Sequence, residues 1–392
     1  MIRTANIAGA GIGGLTAAIA LARQGVEVSI FEQASELAEV GAGLQLSPNA
    51  MRVMAALGLE DALQAVAFAP ERARVIDGKT GRDLINLPLR AVSRPLYGAP
   101  YLHVHRADVQ GTLYREAQRL GVTFNLGEAV TGYTKTGLMV SGEEQSADLN
   151  IGADGIRSAI AAQMHLNLPV RFTGQVAWRG SVATADLPKG LIGPDASVWV
   201  GQGKHLVTYY LRGGDLVNFV AVEERDNWHN PGWTEPGDPA QIQAAFAEWH
   251  PTVQTLLNAA EETFLWALFD RPVLPYWSQG SIGLLGDACH PTLPFMAQGA
   301  AMAIEDAFVL ARCVAAEQNA ATALTRYTTL RRPRTSRLQA RARSNAALFH
   351  QTGFANGLLP RLKLAIAGQL PDRLGLRPFD AIYGYNATTV LP

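Results

Sequence analysis

Three short stretches of the chain carry residue types and spacings suited to chemistry on a nucleotide cofactor. The first is GAGIGG, with Gly9, Gly11 and Gly14 at the G-x-G-x-x-G positions and Gly13 between them. Gly9 makes the tight turn, Gly11 lets the backbone approach a pyrophosphate, and Gly14 lets helix and strand pack closely. A helix beginning there offers free N–H groups and a positive dipole end to phosphates. Glu32 follows eighteen positions after Gly14, where a carboxylate accepts hydrogen bonds from ribose hydroxyls and repels a 2′-phosphate. The second stretch is GADGIRS, in which Asp154-Gly155 marks a sharp strand end. The third is GDACHP, where Asp287 can take a hydroxyl from a ribityl or ribose chain. Beyond it, a helix starting near Gln298-Gly299-Ala300 presents unpaired N–H groups to a negative group such as the pyrimidine edge of a reduced flavin. An ordinary capped helix after a loop leaves the same signature.

Two side chains point to proton chemistry. His205 and Tyr209 are four apart in a predicted strand, so they share one face. Histidine accepts a proton near neutral pH and tyrosine donates a hydrogen bond, so the pair can hold and deprotonate a phenol. On these residues alone, a half-exposed strand histidine beside a packed tyrosine is the commoner reading. Arg106, just before a helix, can reach a phosphate or lie on the surface. Cys289 and His290 are neighbours in sequence, which does not make a catalytic dyad. No Cys/His cluster has metal-ligand spacing, and no metal is expected.

These groups need a scaffold, and the flanking patterns supply one. Residues 3–8 read as a strand, 15–24 as a helix stopped by Gly25, and 26–31 as a second strand. Ser47 and Pro48 read as a helix cap and first turn, with Gln45 in the Gly-rich approach and counted among the cofactor-binding residues. Residues 70–100 read as short strands. A helix ends at Gly121, 122–126 reads as a third strand of the same sheet, and Gly127 to Val130 as its exit. From 171 to 222, short strands between Gly turns predict an antiparallel meander. A helix is expected over 239–249 and a strand over 281–285. From Gln298 the chain is expected to be helical, with breaks near Pro333, Gly353–Gly357 and Gly368. The fold class is therefore α/β (α+β overall): a Rossmann-like domain interrupted by a β-sheet insertion, with a helical C-terminal segment. The cofactor domain is assigned to 1–70, 101–169 and 278–392, and the β-rich substrate domain to 71–100 and 170–277.

The 392 residues allow two domains; 17% are charged, 48% are apolar and the net charge is −1. No basic run invites nucleic acid. Two cysteines, Cys289 and Cys313, exclude a disulfide scaffold. The start of the chain leaves no room for a signal peptide, and no apolar run is long enough to span a bilayer. A cytoplasmic location follows as the expectation. The amphipathic stretch 358–370 is expected to pack on the body rather than on a membrane. A single G-x-G-x-x-G implies one resident dinucleotide, either NAD or FAD.

The motifs together resemble the single-component FAD-dependent aromatic hydroxylases, on the strength of GAGIGG, GADGIRS and GDACHPTLPFMAQGAAMAIEDA. The nearest branch is that of salicylate hydroxylase, 3-hydroxybenzoate 6-hydroxylase and 6-hydroxynicotinate 3-monooxygenase. The likeness runs nearly end to end, from GAGLQLSPNA and HRAD to the late YGYNA. It implies bound FAD, with NADH or NADPH and molecular oxygen as co-substrates, and ring hydroxylation of a phenolic aromatic or heteroaromatic acid through a flavin hydroperoxide. By position, it implies that Gly9, Gly11, Gly13 and Gly14 hold the pyrophosphate and Glu32 the adenosine ribose. Arg106 matches a cofactor-contacting arginine and Val130 a backbone contact near the adenine. Asp154 belongs to a motif tied to FAD and the nicotinamide cofactor. Asp287 matches the ribityl-phosphate contact, Gly299 and Ala300 the pyrimidine edge. His205 and Tyr209 match a pair that touches the phenolic substrate. The 6-hydroxynicotinate enzymes carry His where Phe295 and Gln45 stand, which favours a benzene-ring phenol here. A monomer or homodimer is expected. The rivals are another FAD oxidoreductase such as an epoxidase or oxidase, an NAD-dependent dehydrogenase and a non-catalytic flavin-binding protein.

Overall fold

Strand Thr4–Ala8, four of its five residues buried, lies inside a six-stranded sheet. The strand order is Ser278–Gln279, Ile282–Leu284, Leu149–Gly152, Thr4–Ala8, Glu27–Glu32, Thr123–Leu126. Every neighbouring pair is parallel except the first. The structure is a computed structural model that describes residues 1–37, 43–166, 170–228, 234–350 and 372–391.

The helix after the glycine turn spans Ile12–Ala22, three residues earlier than expected, because Gly11 already takes the N-cap position. Leu15, Ala17, Ala18, Ile19 and Leu21 are all fully enclosed. Such a helix, apolar nearly all round, belongs between two layers. Here the layers are the parallel sheet and helix Gly299–Ala316. The close approach rests on Gly13. A Cβ there would lie 2.7 Å from the Leu285 side chain and 3.2 Å from Ala303 Cβ. Leu15→Ala in this layer would cost about 2–5 kcal/mol.

The second sheet has eight strands, ordered Thr234–Gly237, Thr263–Asp270, Arg171–Ala183, Leu216–Glu224, Lys204–Leu211, Ala196–Gly201, Ala73–Asp77, Asp83–Leu87. All pairs are antiparallel except Ala196–Gly201 with Ala73–Asp77. Side chains alternate between its faces. One face buries Trp178, Leu206 and Phe219 against helices Pro239–Ala245 and Pro251–Asn258 through Ile242, Val253 and Leu256. The other carries Ala177, Val222 and Leu268 against Leu293, Phe295 and Ala342, which come from the cofactor-side chain segments.

Three local expectations need correcting. Residues Leu89–Tyr97 form a helix rather than further strand, with Pro95 inside it and Gly98 at a φ of 74° ending it. Helix 239–249 is shorter, stopping at Ala245, and a second helix starts at Pro251. Pro333 does not break the last long helix, which runs Ala320–His350. Arg331 on one side is clamped by Glu305 and Asp306, and on the other the Thr335 hydroxyl donates to the Arg331 and Arg332 carbonyls. Tertiary ties thus outweigh the missing N–H. The breaks expected at Gly353–Gly357 and Gly368, and the stretch 358–370, lie outside the described residues.

Candidate active site

The glycine turn is held from below. Gly9 sits at a φ of 100°, and a Cβ there would meet the Ala153 carbonyl oxygen at 2.6 Å. Any side chain is therefore strained and blocked. Around Gly11 nothing lies within 4 Å of a built Cβ, so the backbone faces open space on the side a pyrophosphate would take. Glu32 accepts the N–H of Ala10 at 2.8 Å and of Ala34 at 3.0 Å, one on each carboxylate oxygen. The acid thus braces the turn, and its remaining lone pairs are what a ribose would meet. Val130 starts strand Val130–Tyr133, just after Gly127 and Glu128 bond back to Ala34 and Glu32.

Asp154 accepts the Ala159 N–H at 2.9 Å on one oxygen, while the other oxygen is buried with no partner. Burial raises its pKa. Asp287 is exposed where strand Ile282–Leu284 ends. Desolvation raises its pKa too, against the pull of the His290, Arg106 and Arg271 charges. Arg106 is exposed at the start of helix Arg106–Arg119 and acts electrostatically on both Asp287 and Arg179. The turn and the Asp287 bend are adjacent, since Gly13 abuts Leu285. Gly299 and Ala300 begin helix Gly299–Ala316, so their N–H groups have no intrahelical acceptor. Gln298 before them is tied to Ser47 and Asn49 at 3.0 and 3.1 Å. Gln45 pairs across to His103 and accepts the Tyr101 hydroxyl at 2.6 Å.

His205 and Tyr209 point from strand Lys204–Leu211 to the face shared with Ala177 and Val222, and both are nearly fully buried. The His205 ring lies 5.4 Å from Phe295 and 5.3 Å from Phe349, centroid to centroid. Burial, with the neighbouring His350, pushes its pKa well below 6.5, so the ring is neutral and can accept a proton. Its Nδ1 lies 2.9 Å from His350 Nε2. The Tyr209 ring is 4.6 Å from His103, and its hydroxyl makes no hydrogen bond to a described residue.

Sequence reasoning missed four contributors. His350 and Glu224 join His205 from 145 and 19 positions away, and no local pattern marks them. Arg179 lies on the same sheet face as His205 by register, with its guanidinium 4.6 Å from the Trp266 ring and no acidic partner among the described residues. Asp306 gathers with Cys289 and His290 so that their ligand atoms fall within 4.8 Å of one another. All three are buried, and Asp306 is already bonded to His290 and, at 2.6 Å, to Arg331. Asp306 thereby joins His290 and Arg331 in one internal ion network.

Comparison with known proteins gives the class. The FAD binding domain family matches residues 2–342. A 3-amino-4-hydroxybenzoate 2-monooxygenase of Streptomyces platensis is 37% identical, covering 98% of this chain and 96% of the relative. A 6-hydroxynicotinate 3-monooxygenase of Pseudomonas fluorescens is 36% identical, covering 79% and 81%. The crystal structure of Klebsiella pneumoniae HpxO with FAD and uric acid superposes with a TM-score of 0.86 at 27% identity, over 97% of each chain. With this family match over most of the chain and relatives of this identity, the chain belongs to the FAD-dependent aromatic monooxygenases.

Proposed function

We propose that the enzyme hydroxylates the ring of a phenolic aromatic acid, with NADH or NADPH as reductant and molecular oxygen as the oxygen source. The observation that carries this reading is a neutral, buried His205 set among the apolar side chains between the eight-stranded sheet and the Phe295 loop. A phenol docked there gives its proton to His205, and the resulting phenolate enriches the ring for attack. Tyr209 donates a hydrogen bond to the same oxygen. The aromatic lining excludes water. Arg179, half-buried and without an acidic partner, offers the positive charge for a carboxylate on the same face. Phe295 offers no hydrogen bond to a ring nitrogen, which favours a benzene ring over a pyridine. FAD, when bound, carries electrons from the nicotinamide and activates oxygen. Gly9, Gly11, Gly13, Gly14, Glu32, Arg106, Val130, Asp154, Asp287, Gly299 and Ala300 would hold it, with Gln45 beside the ring system.

The same reading divides the chain into a cofactor body (1–70, 101–169, 278–392) and a substrate body (71–100, 170–277), supported by which strands join which sheet. Among the described residues no helix is long and apolar enough to cross a membrane. Two buried free cysteines suit a reducing cytoplasm, where the enzyme would act as a monomer or homodimer. The test is a panel of 3-amino-4-hydroxybenzoate, 3-hydroxybenzoate, salicylate and 6-hydroxynicotinate. One member should stimulate NADH or NADPH oxidation and yield a hydroxylated product. Flavin-loaded protein that oxidises the nicotinamide without hydroxylating any phenolic acid would overturn the proposal.

A further inference from the structure

Hydrogen bonds continue outward from the Nδ1 side of His205. His350, the end of helix Ala320–His350, takes that contact with its Nε2 at 2.9 Å. Its own Nδ1 lies 3.0 Å from Glu224 Oε1. The two imidazoles are buried, but the Glu224 side chain is 46% exposed. Three separate elements thus build a continuous line from the apolar surroundings of His205 to the exposed Glu224.

We propose that Glu224 and His350 form a proton relay that sets the tautomer of His205 and carries the substrate proton between His205 and water. This rests on the reading of His205 as the base. The direction follows from donor and acceptor counting. A carboxylate only accepts, so His350 must carry its proton on Nδ1. Its Nε2 is then an acceptor and takes the Nδ1–H of His205. What remains on His205 is a lone pair on Nε2, and no described residue hydrogen-bonds that atom. Gln175 Nε2 also lies 3.4 Å from His350 Nδ1, but the Glu224 carboxylate at 3.0 Å is the nearer and charged partner and sets the proton on that nitrogen.

Transfer along this line balances. The phenol O–H bond breaks as a bond to His205 Nε2 forms. The His205 Nδ1–H passes to His350 Nε2, and the His350 Nδ1–H passes to Glu224, which yields it to water. No group is oxidised or reduced, and both rings end neutral with their tautomers exchanged. The reverse run protonates the product phenolate and restores the starting tautomers. Around His205 the facing groups are the uncharged Phe295 and Phe349. At the outer end Glu223 is already paired with Arg225 at 3.1 Å, which leaves Glu224 as the acceptor. Burial disfavours charge on both imidazoles, so a hand-over that stores none inside is the favourable route.

The test uses the flavin-loaded enzyme labelled with 15N-histidine, whose tautomers are read by two-bond proton–nitrogen spectra and assigned with His205→Gln. His205 should carry its proton on Nδ1. Glu224→Ala should disturb that tautomer, whereas Glu224→Gln, which still accepts, should keep it. Proton release to an indicator dye on mixing with 3-amino-4-hydroxybenzoate is the second readout. Both Glu224 variants should slow it by about tenfold or more, with flavin content and ligand affinity retained. A wild-type His205 protonated on Nε2 would overturn the relay. So would release from Glu224→Gln at the wild-type rate, provided His205→Gln has lost it; that pattern removes the relay and keeps the base. Release unaltered in His205→Gln removes both.

Discussion

Two buried histidines in this molecule sit beside carboxylates and behave in opposite ways. His290 meets Asp306, whose other oxygen holds Arg331 at 2.6 Å, with Glu305 completing the network. Burial by itself would lower the His290 pKa, but the Cys289 and Asp306 charges win and raise it well above 6.5. His205 meets another imidazole first, and its carboxylate, Glu224, lies one residue further out and half in water. Burial there wins, and the ring stays neutral. The contrast shows that a histidine's role depends on how its partner charge is solvated. A dry, crossed ion network locks a proton in place. A wet terminal carboxylate lets one leave.

The sharpest way to break this contrast is at the locked site. Asp306→Ala would leave His290 buried without its anion and Arg331 with Glu305 alone, and should destabilise the fold by about 3–5 kcal/mol, read by urea unfolding. A loss under about 1 kcal/mol would mean the network is not structural. Next in size is His205→Gln. Hydroxylation should fall by about a hundredfold or more, with FAD content and the unfolding midpoint near wild type. Loss of flavin in that variant would place His205 with the locked class instead.

A smaller effect separates the sites by pH. His103, buried with neither ring nitrogen bonded, has its pKa lowered from 6.5 to about 3 by burial. The unfolded chain binds a proton that the folded one refuses. Stability is then full above about pH 6.5 and falls below it, by about 1.4 kcal/mol per pH unit for such a group. His205 tilts the curve the same way. His290, raised in the fold, contributes stability that is present below pH 6.5 and lost as pH rises through its folded value. His103→Leu should therefore flatten the acid limb, and His290→Gln should not; unfolding at pH 5 and pH 7 decides. Smallest is Tyr209→Phe, which removes one hydroxyl and should lower kcat/KM by about fivefold to tenfold. An unchanged value would detach Tyr209 from the substrate.

The cofactor side was readable in the sequence because its signals are local. The turn at Gly9–Gly14, the acid at Glu32 and the strand exits at Asp154 and Asp287 each sit in one stretch, where φ, strand length and helix start are set by neighbours in sequence. Even the error of three residues at the start of helix Ile12–Ala22 came from the cap alone. The substrate side was readable only in part. Alternation placed His205 and Tyr209 on one face, but which face packed on the Phe295 loop depended on how the sheet docks.

What the sequence settles by itself is the glycine turn, since the positive φ at Gly9 and the close approach of Gly14 to the Gly9 carbonyl are set within that one stretch. The partners of His205 were decided by tertiary structure alone. His350 arrives from 145 positions away on a helix that runs through Pro333, held there by Arg331 and its buried anions. Hydrogen bonds and desolvation act through space, and a linear pattern carries no record of which distant side chains the packed layers bring within three ångströms of one another.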